Sequence, residues 1–318
     1  MKRKIAGLIV ILVMLLLVGC GSATEVEVTR EVEVTREVEV TREVMVTQEI
    51  ETEIEVTPQS WADPFSDDSM NSEIRIETMQ TEAFEETFRL YIWLPKSYES
   101  EPDENYPVLY LMDGNFDTRL ASLMVSNLIF EKSAPELIIV GVGYDTNESE
   151  KLGDLRVRDL FPVGNSEGYG RAEDLLAFMQ NELIPHIDSS YRTLPEERFL
   201  AGFSAGGAFA LYSMFHAPEL YTGIIASSPT LSFADWSVFE EADAYAENHT
   251  DLPVNLFISA ESSAPTLLFE RFATKLNEFS YENFKMKLTI IEDETHLTML
   301  PVGLQRGIRE IFRARLWD

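Results

Sequence analysis

The sequence predicts a three-layer α/β fold around a mostly parallel sheet. From Ser72 onward, short apolar runs of strand length alternate with longer segments of helical spacing. In the middle of that alternation, Gly202-Phe203-Ser204-Ala205-Gly206 sits between an apolar strand run (Arg198–Ala201) and a small-residue helical run (Gly207–Phe215). A length of 318 residues suits one large α/β domain with appendages.

Taken in order, Glu73–Met79 and Phe84–Leu94 alternate polar and apolar residues like a strand pair at a sheet edge, and Pro107–Met112 reads as a buried strand. Asp113-Gly114-Asn115 reads as a turn leading into a helix over Leu120–Phe130, followed by a buried strand at Leu137–Val142. Asn147–Gly168 reads as a polar stretch before a helix at about Gly170–Ile187. After the pentad come strands at Gly223–Ser228, Val254–Ser259 and Phe284–Glu292, with helices at Thr266–Phe279 and Pro301–Leu316. Right-handed crossovers between such strands place ligands at their carboxyl ends.

Ahead of this domain (residues 72–318) lie three segments of different composition. Residues 1–19 carry a basic start, an apolar run at Ile5–Val18 and small residues before Cys20, the pattern of a cleaved secretory signal with a bacterial lipobox-like ending. Lipidation at Cys20 and an extracytoplasmic, membrane-anchored protein are the expectation, an uncleaved anchor helix the alternative. Residues 20–57 contain the repeated hexad Glu-Val-Glu-Val-Thr-Arg. Its valines scatter around a helix but alternate on an extended chain, so the segment reads as an acidic stalk, or as a strand that pairs with copies of itself. Residues 58–71, rich in Pro, Ser and Asp, read as a linker.

The net charge of −30 and pI near 4.4 argue against nucleic acid or an anionic membrane surface as partner. Cys20 is the single cysteine, which excludes an intrachain disulfide and a cysteine-rich zinc site. The four histidines are His186, His216, His249 and His296.

Gly-x-Ser-x-Gly between strand and helix is the pattern of a nucleophile elbow. Its glycines let strand and helix pass closely, and the turn lifts the Ser204 hydroxyl above the sheet edge. The chain order in such sites is Ser, acid, His. His186 precedes the serine. His216 lies twelve residues along the following helix, roughly 18 Å away. His249 precedes a strand. His296 follows the strand ending near Glu292 and so emerges on the serine's side, making it the candidate base. Glu261, just past the strand at Val254–Ser259, is the candidate acid; Asp293, Glu294, or a dyad without any acid are the competing readings. The oxyanion donors are expected to be two backbone N–H groups, that of Ala205 and that of Asn115 in the turn after the third strand. Candidate pocket residues are Arg158, Phe203 and Trp236. Arg156 and Arg158 either meet an anionic substrate or pair with neighbouring acids. Phe233, Trp236, Phe239 and Tyr245 either wall the site or pack into the core.

With these residues assembled, the chain from about Ser72 to Trp317 resembles the esterase family of α/β-hydrolases that includes esterase D-like, enterochelin-esterase-like and antigen 85-like proteins. The resemblance rests on Tyr106–Asn115, Arg156–Pro162, Glu182–Asp188, Tyr191–Thr193 with Arg198, Ala201–Gly207, Ser228-Pro229 and Glu294-Thr295-His296. A glutamate after the acid strand is shared with one branch, although Ser259–Ser263 lacks that branch's glycine. The resemblance implies an α/β-hydrolase fold and hydrolysis of small-molecule carboxylic esters through an acyl-serine, with no metal or organic cofactor. Siderophore-lactone hydrolysis or acyl transfer is the nearest alternative. A silent binding lipoprotein on the same fold, or a transporter's solute-binding lipoprotein, is the alternative from another class.

Overall fold

A computed structural model describes residues 74–164 and 168–313. The expected signal segment, the Cys20 lipidation site, the stalk and the linker lie outside the described residues.

Eight strands form the central sheet: β1 (Arg75–Thr81), β2 (Phe84–Trp93), β3 (Tyr106–Met112), β4 (Ile138–Tyr144), β5 (Thr193–Phe203), β6 (Gly223–Ser227), β7 (Asn255–Glu261) and β8 (Lys285–Ile291). Their spatial order is β1-β2-β4-β3-β5-β6-β7-β8. Strand β2 alone runs against the direction of the other seven, so the sheet is mostly parallel. The chain steps from β3 outward to β4 and then returns to the other side of β3 with β5. That reversal opens a crevice at the carboxyl ends of β3 and β5, where a ligand fits without displacing a crossover.

Strand β3 shows why these residues form a central strand. Tyr106–Met112 is buried at all seven positions, and its side chains alternate between two cores. Val108, Tyr110 and Met112 pack on one face of the sheet, Leu109 and Leu111 on the other. The second face is covered by α1 (Gly114–Phe130) and, further along the chain, by a helix at Met299–Ile311. The first is covered by α2 (Ser149–Asp159), α3 (Ala172–Phe178), α4 (Ile184–Ser190), α5 (Ala205–His216), α6 (Val238–Ala246) and α7 (Thr266–Phe279). The helix at Met299–Ile311 is α8.

Three elements depart from the sequence reading. The turn expected at Asp113-Gly114-Asn115 is already the start of a helix, since α1 begins at Gly114. A side chain there is excluded: a Cβ on Gly114 would stand 2.7 Å from the Val142 nitrogen and 2.8 Å from the Gly141 oxygen. The polar stretch Asn147–Gly168 contains α2, which buries only Leu152, Leu155 and Asp159 and so carries too little apolar signal to be read as a helix. The helix expected from Gly170 to Ile187 is interrupted by a π-helical turn at Met179–Leu183. Pro185, in the first turn of α4, has no N–H for the regular ladder, and the wider turn accommodates the loss.

Arg158 belongs to the scaffold. Its Nε and Nη2 donate to the two carboxylate oxygens of fully buried Asp159 at 2.6 and 2.9 Å, and its Nη1 donates to Glu86 on β2 at 2.8 Å. Tyr144 on β4 donates its hydroxyl to Asp159 at 2.9 Å, so one buried carboxylate ties α2 to the sheet. Removing one partner of a buried ion pair costs about 3–5 kcal/mol because the other charge stays buried. Arg158→Met is therefore expected to lower the urea unfolding midpoint while leaving kcat for a small ester near wild type. An unchanged midpoint would remove the scaffold role.

Candidate active site

Ser204 occupies a backbone conformation that side-chain-bearing residues rarely adopt, φ 54 and ψ −113. Hydrogen bonds hold it from both directions. Its N–H donates to the Ser227 carbonyl on β6 at 3.0 Å, and its carbonyl accepts from the N–H groups of Ala208 (3.0 Å) and Thr230 (3.1 Å). The turn closes only because Gly202 has no side chain: a Cβ there would fall on the Gly206 carbonyl. Gly207 likewise lies against Pro229, whose Cα would be 3.0 Å from an added Cβ. The pentad pattern thus has a steric origin in the close passage of β5 and α5.

Beside the serine, the residues selected from the sequence form a hydrogen-bonded chain. His296, in the loop between β8 and α8, has Nε2 3.0 Å from Ser204 Oγ and Nδ1 3.0 Å from Glu261 Oε1. An ionised carboxylate only accepts, so Nδ1 carries the proton and the lone pair of the neutral ring lies on Nε2, facing the serine hydroxyl. Glu261, the last residue of β7, is buried while His296 is half exposed at its outer edge. Burial raises the Glu261 carboxyl, but the Ser228 hydroxyl, the residue's own backbone N–H and His296 outweigh it and hold the group below the ordinary carboxylate range. Asp293 and Glu294 lie on the same loop as His296, and neither hydrogen-bonds it among the described residues. The other three histidines are engaged elsewhere: His186 with Glu77, His216 with Glu241 and His249 with the Tyr245 carbonyl.

Ser228 is a further participant, one to which the sequence pattern assigns no role. It follows β6 directly, with φ 42, and donates to Glu261 Oε2 at 2.5 Å. Its oxygen is also 3.2 Å from His296 Nδ1, so the same hydroxyl braces acid and base. The available signal was its place at the carboxyl end of the strand next to the elbow.

The remaining candidates divide. Ala205 opens α5 directly after the serine, with its N–H among the unpaired groups of the first turn. Asn115, whose backbone N–H is the other expected donor, stands in the first turn of α1, and its side chain is tied to β4, accepting from the Tyr144 N–H at 2.7 Å and donating to the Tyr144 carbonyl at 2.9 Å. The part of that bend facing the elbow is Met112 and Asp113, which would lie 3.0 and 3.2 Å from a Cβ on Gly206. Phe203 is at the site, its ring centroid 4.7 Å from that of His296. Trp236 is not. It is buried against Phe161 and donates Nε1–H to Glu241 at 2.8 Å. The segment from Pro229 to Leu252 forms a small ribbon (Ser232–Phe233 with Trp236–Ser237) and α6, and its Trp236 and Tyr245 pack into the core. Of the two arginines, Arg158 pairs as described above, and Arg156 grips Asp113 through both Nε and Nη2.

That Arg156–Asp113 pair also governs Asp117, one turn along α1. Burial first, and then the Asp113 charge, push the Asp117 carboxyl up to about 7 against the pull of Arg156.

The fold and this chain of groups define a serine hydrolase of the α/β type, and comparisons with known proteins agree. A family model described as putative esterase matches residues 81–265, more than half of the chain, which therefore belongs to that family of ester hydrolases. A ferri-bacillibactin esterase of Bacillus subtilis is 24% identical over 265 residues, spanning 75% of this chain and 88% of the relative. A siderophore triacetylfusarinine C esterase of Aspergillus fumigatus is 31% identical over 151 residues, 44% of this chain and 50% of the relative. Among solved structures, a BES protein from Bacillus cereus aligns with a TM-score of 0.66 at 25% identity, covering 76% of this chain and 95% of that one. An IroE-like serine hydrolase from Shewanella oneidensis aligns at 0.65 and 26% identity, covering 76% and 80%.

A carboxyl whose folded value exceeds its unfolded one binds more protons in the folded state, so its ionisation costs stability as pH rises from about 4 to about 7. Asp117→Asn removes that cost. It is expected to unfold at higher urea than wild type at pH 8 and to show a smaller difference at pH 5. A variant less stable than wild type at pH 8 contradicts the placement of this charge.

Proposed function

We propose that this chain hydrolyses the ester bonds of siderophore-type polyesters outside the cytoplasm, with Ser204 as nucleophile, His296 as general base and acid, and Glu261 as the group that orients His296. The observation that carries the mechanism is the unbroken chain from Ser204 Oγ through both ring nitrogens of His296 to Glu261, each link 3.0 Å.

Ser204 Oγ attacks the ester carbonyl carbon while its proton passes to His296 Nε2. The carbonyl oxygen, now negative, is held by the N–H of Ala205 and an N–H of the bend at 113–115. As the tetrahedral intermediate collapses, the C–O bond to the alcohol breaks and the Nε2 proton leaves with the alcohol. Water then attacks the acyl-serine, giving its proton to Nε2, and the second collapse releases the acid and returns the proton to Ser204. Glu261 remains ionised throughout, its low carboxyl pKa matching the imidazolium it faces at each step. Ser228 holds the second oxygen of that carboxylate, which fixes its angle towards His296. Phe203 beside His296 supplies an apolar wall for the substrate.

The substrate class rests on the Bacillus subtilis ferri-bacillibactin esterase, whose alignment spans most of both chains. The location rests on the sequence at Met1–Cys20, read as a lipoprotein signal that anchors the protein to the membrane.

Ser204→Ala is expected to lower kcat for p-nitrophenyl acetate by several orders of magnitude, with the loss not deepened by adding His296→Ala. Glu261→Gln is expected to cost about a hundredfold or more, because the amide no longer enforces the required tautomer. Wild-type turnover in the serine variant would rule out the mechanism. Hydrolysis of a catecholate trilactone with a higher kcat/KM than simple acyl esters supports the substrate class, and the reverse order removes it.

A further inference from the structure

A cluster of cations lies away from Ser204, in a groove of about 490 Å³ between β8 and α8. Helix α8 packs over β6 and β7, burying Leu304, Ile308 and Ile311, and leaves the same face of the edge strand β8 uncovered. Arg306 and Arg309 share one side of α8, Arg313 follows just past its end, and the three line a gap whose other side carries Lys287 and Thr289, which share one face of β8. Lys132, just past the carboxyl end of α1, closes the groove. This is the end of the sheet remote from the serine. Helix α1 starts beside the elbow and runs about 25 Å at 1.5 Å per residue before reaching Lys132.

Five cations thus line one groove with a single carboxylate, Glu310, in a chain of net charge −30. Glu310 is already shared between Lys287 at 2.5 Å and Arg313 at 3.7 Å. Among the described residues, Lys132, Arg306 and Arg309 have no carboxylate partner. These three are exposed, so water screens much of their mutual repulsion, but gathering like charges on one groove still favours a counter-charge, and in so acidic a chain the gathering cannot be put down to an abundance of basic residues. The acidity of the whole molecule repels anions at long range, so an occupant must be recognised at contact distance. Guanidinium forks pair two oxygens at once, which suits phosphate, and several cations suit more than one negative charge. The volume falls within the range of small-molecule sites.

We propose that this groove binds a ligand carrying phosphate groups, either a soluble phosphate compound or a phospholipid headgroup. The test uses the full chain and the double variant Arg306→Glu with Arg309→Glu, with Lys132→Glu as a second variant from a separate segment. Calorimetry with inorganic pyrophosphate at low ionic strength is expected to give saturable binding, weakened at least about tenfold in either variant. Sedimentation with phosphatidylglycerol–phosphatidylcholine vesicles, against phosphatidylcholine alone, reads the headgroup arm. Binding of pyrophosphate assigns a soluble ligand, and binding only to the anionic vesicles assigns a headgroup. Hydrolysis of p-nitrophenyl acetate by the variants is expected to stay within about twofold of wild type, which shows that they fold. Failure of both probes, or binding that both variants leave unchanged, overturns the proposal.

Discussion

The rest of the site depends on a steric constraint at one residue. Ser204 is held at positive φ by three backbone hydrogen bonds, and that geometry requires β5 and α5 to pass at backbone contact, with Gly202 under Gly206. Such a conformation costs about 1–3 kcal/mol and persists only where the surroundings over-determine it. Here the surroundings are the sheet itself: the Ser227 carbonyl on β6 takes the serine N–H, and the parallel register of β5, β6 and β7 brings their carboxyl ends together. Ser204, Ser228 and Glu261 are therefore placed by strand ends, with His296 brought in by the loop after β8. A rigid sheet rather than a flexible loop sets most of the distances.

Charge is handled differently at each depth. Glu261 is buried yet stays ionised because a hydroxyl, its own N–H and an imidazole all donate to it. Asp113, equally buried, is gripped by the Nε–Nη2 edge of the Arg156 guanidinium, which ties α2 to the bend opposite the elbow. Asp159 is satisfied by Arg158 and Tyr144. Asp117 has no comparable donor, and its carboxyl moves towards the neutral form instead. Between Glu261 and Asp117 the difference lies in the donors, since both carboxyls are pushed up by burial and only Glu261 has hydrogen bonds enough to reverse it.

Much of this was legible in the sequence, for physical reasons that can be named. Strands β3 and β4 read correctly because both faces are buried and their residues form unbroken apolar runs. The serine was selected by the glycine-flanked turn between strand and helix, and the histidine by elimination: chain order discards His186, distance along the helix discards His216, and the delivery of ligand groups at strand carboxyl ends discards His249 in favour of His296. What stayed illegible depends on partners distant in sequence. Helix α2 holds its place through charged contacts rather than an apolar stripe, so periodicity did not reveal it. Arg158 and Trp236 looked like pocket residues because an arginine or an indole carries no mark of whether its partner is a substrate or a buried Asp159 or Glu241. Asn115 is a turn residue by type, and only the neighbouring β4 backbone shows that its side chain is committed to Tyr144. Ser228 has no motif of its own beyond following a strand.

The central claim is that Ser204 is activated by its contact with His296. Labelling of the full chain with a fluorophosphonate probe, followed by peptide mapping by mass spectrometry, tests it directly. The account predicts a single covalent adduct on the peptide containing Ser204, formed rapidly in the wild type and slowed by orders of magnitude in His296→Ala. No adduct, an adduct on another residue, or labelling of Ser204 at the same rate without His296 would contradict it.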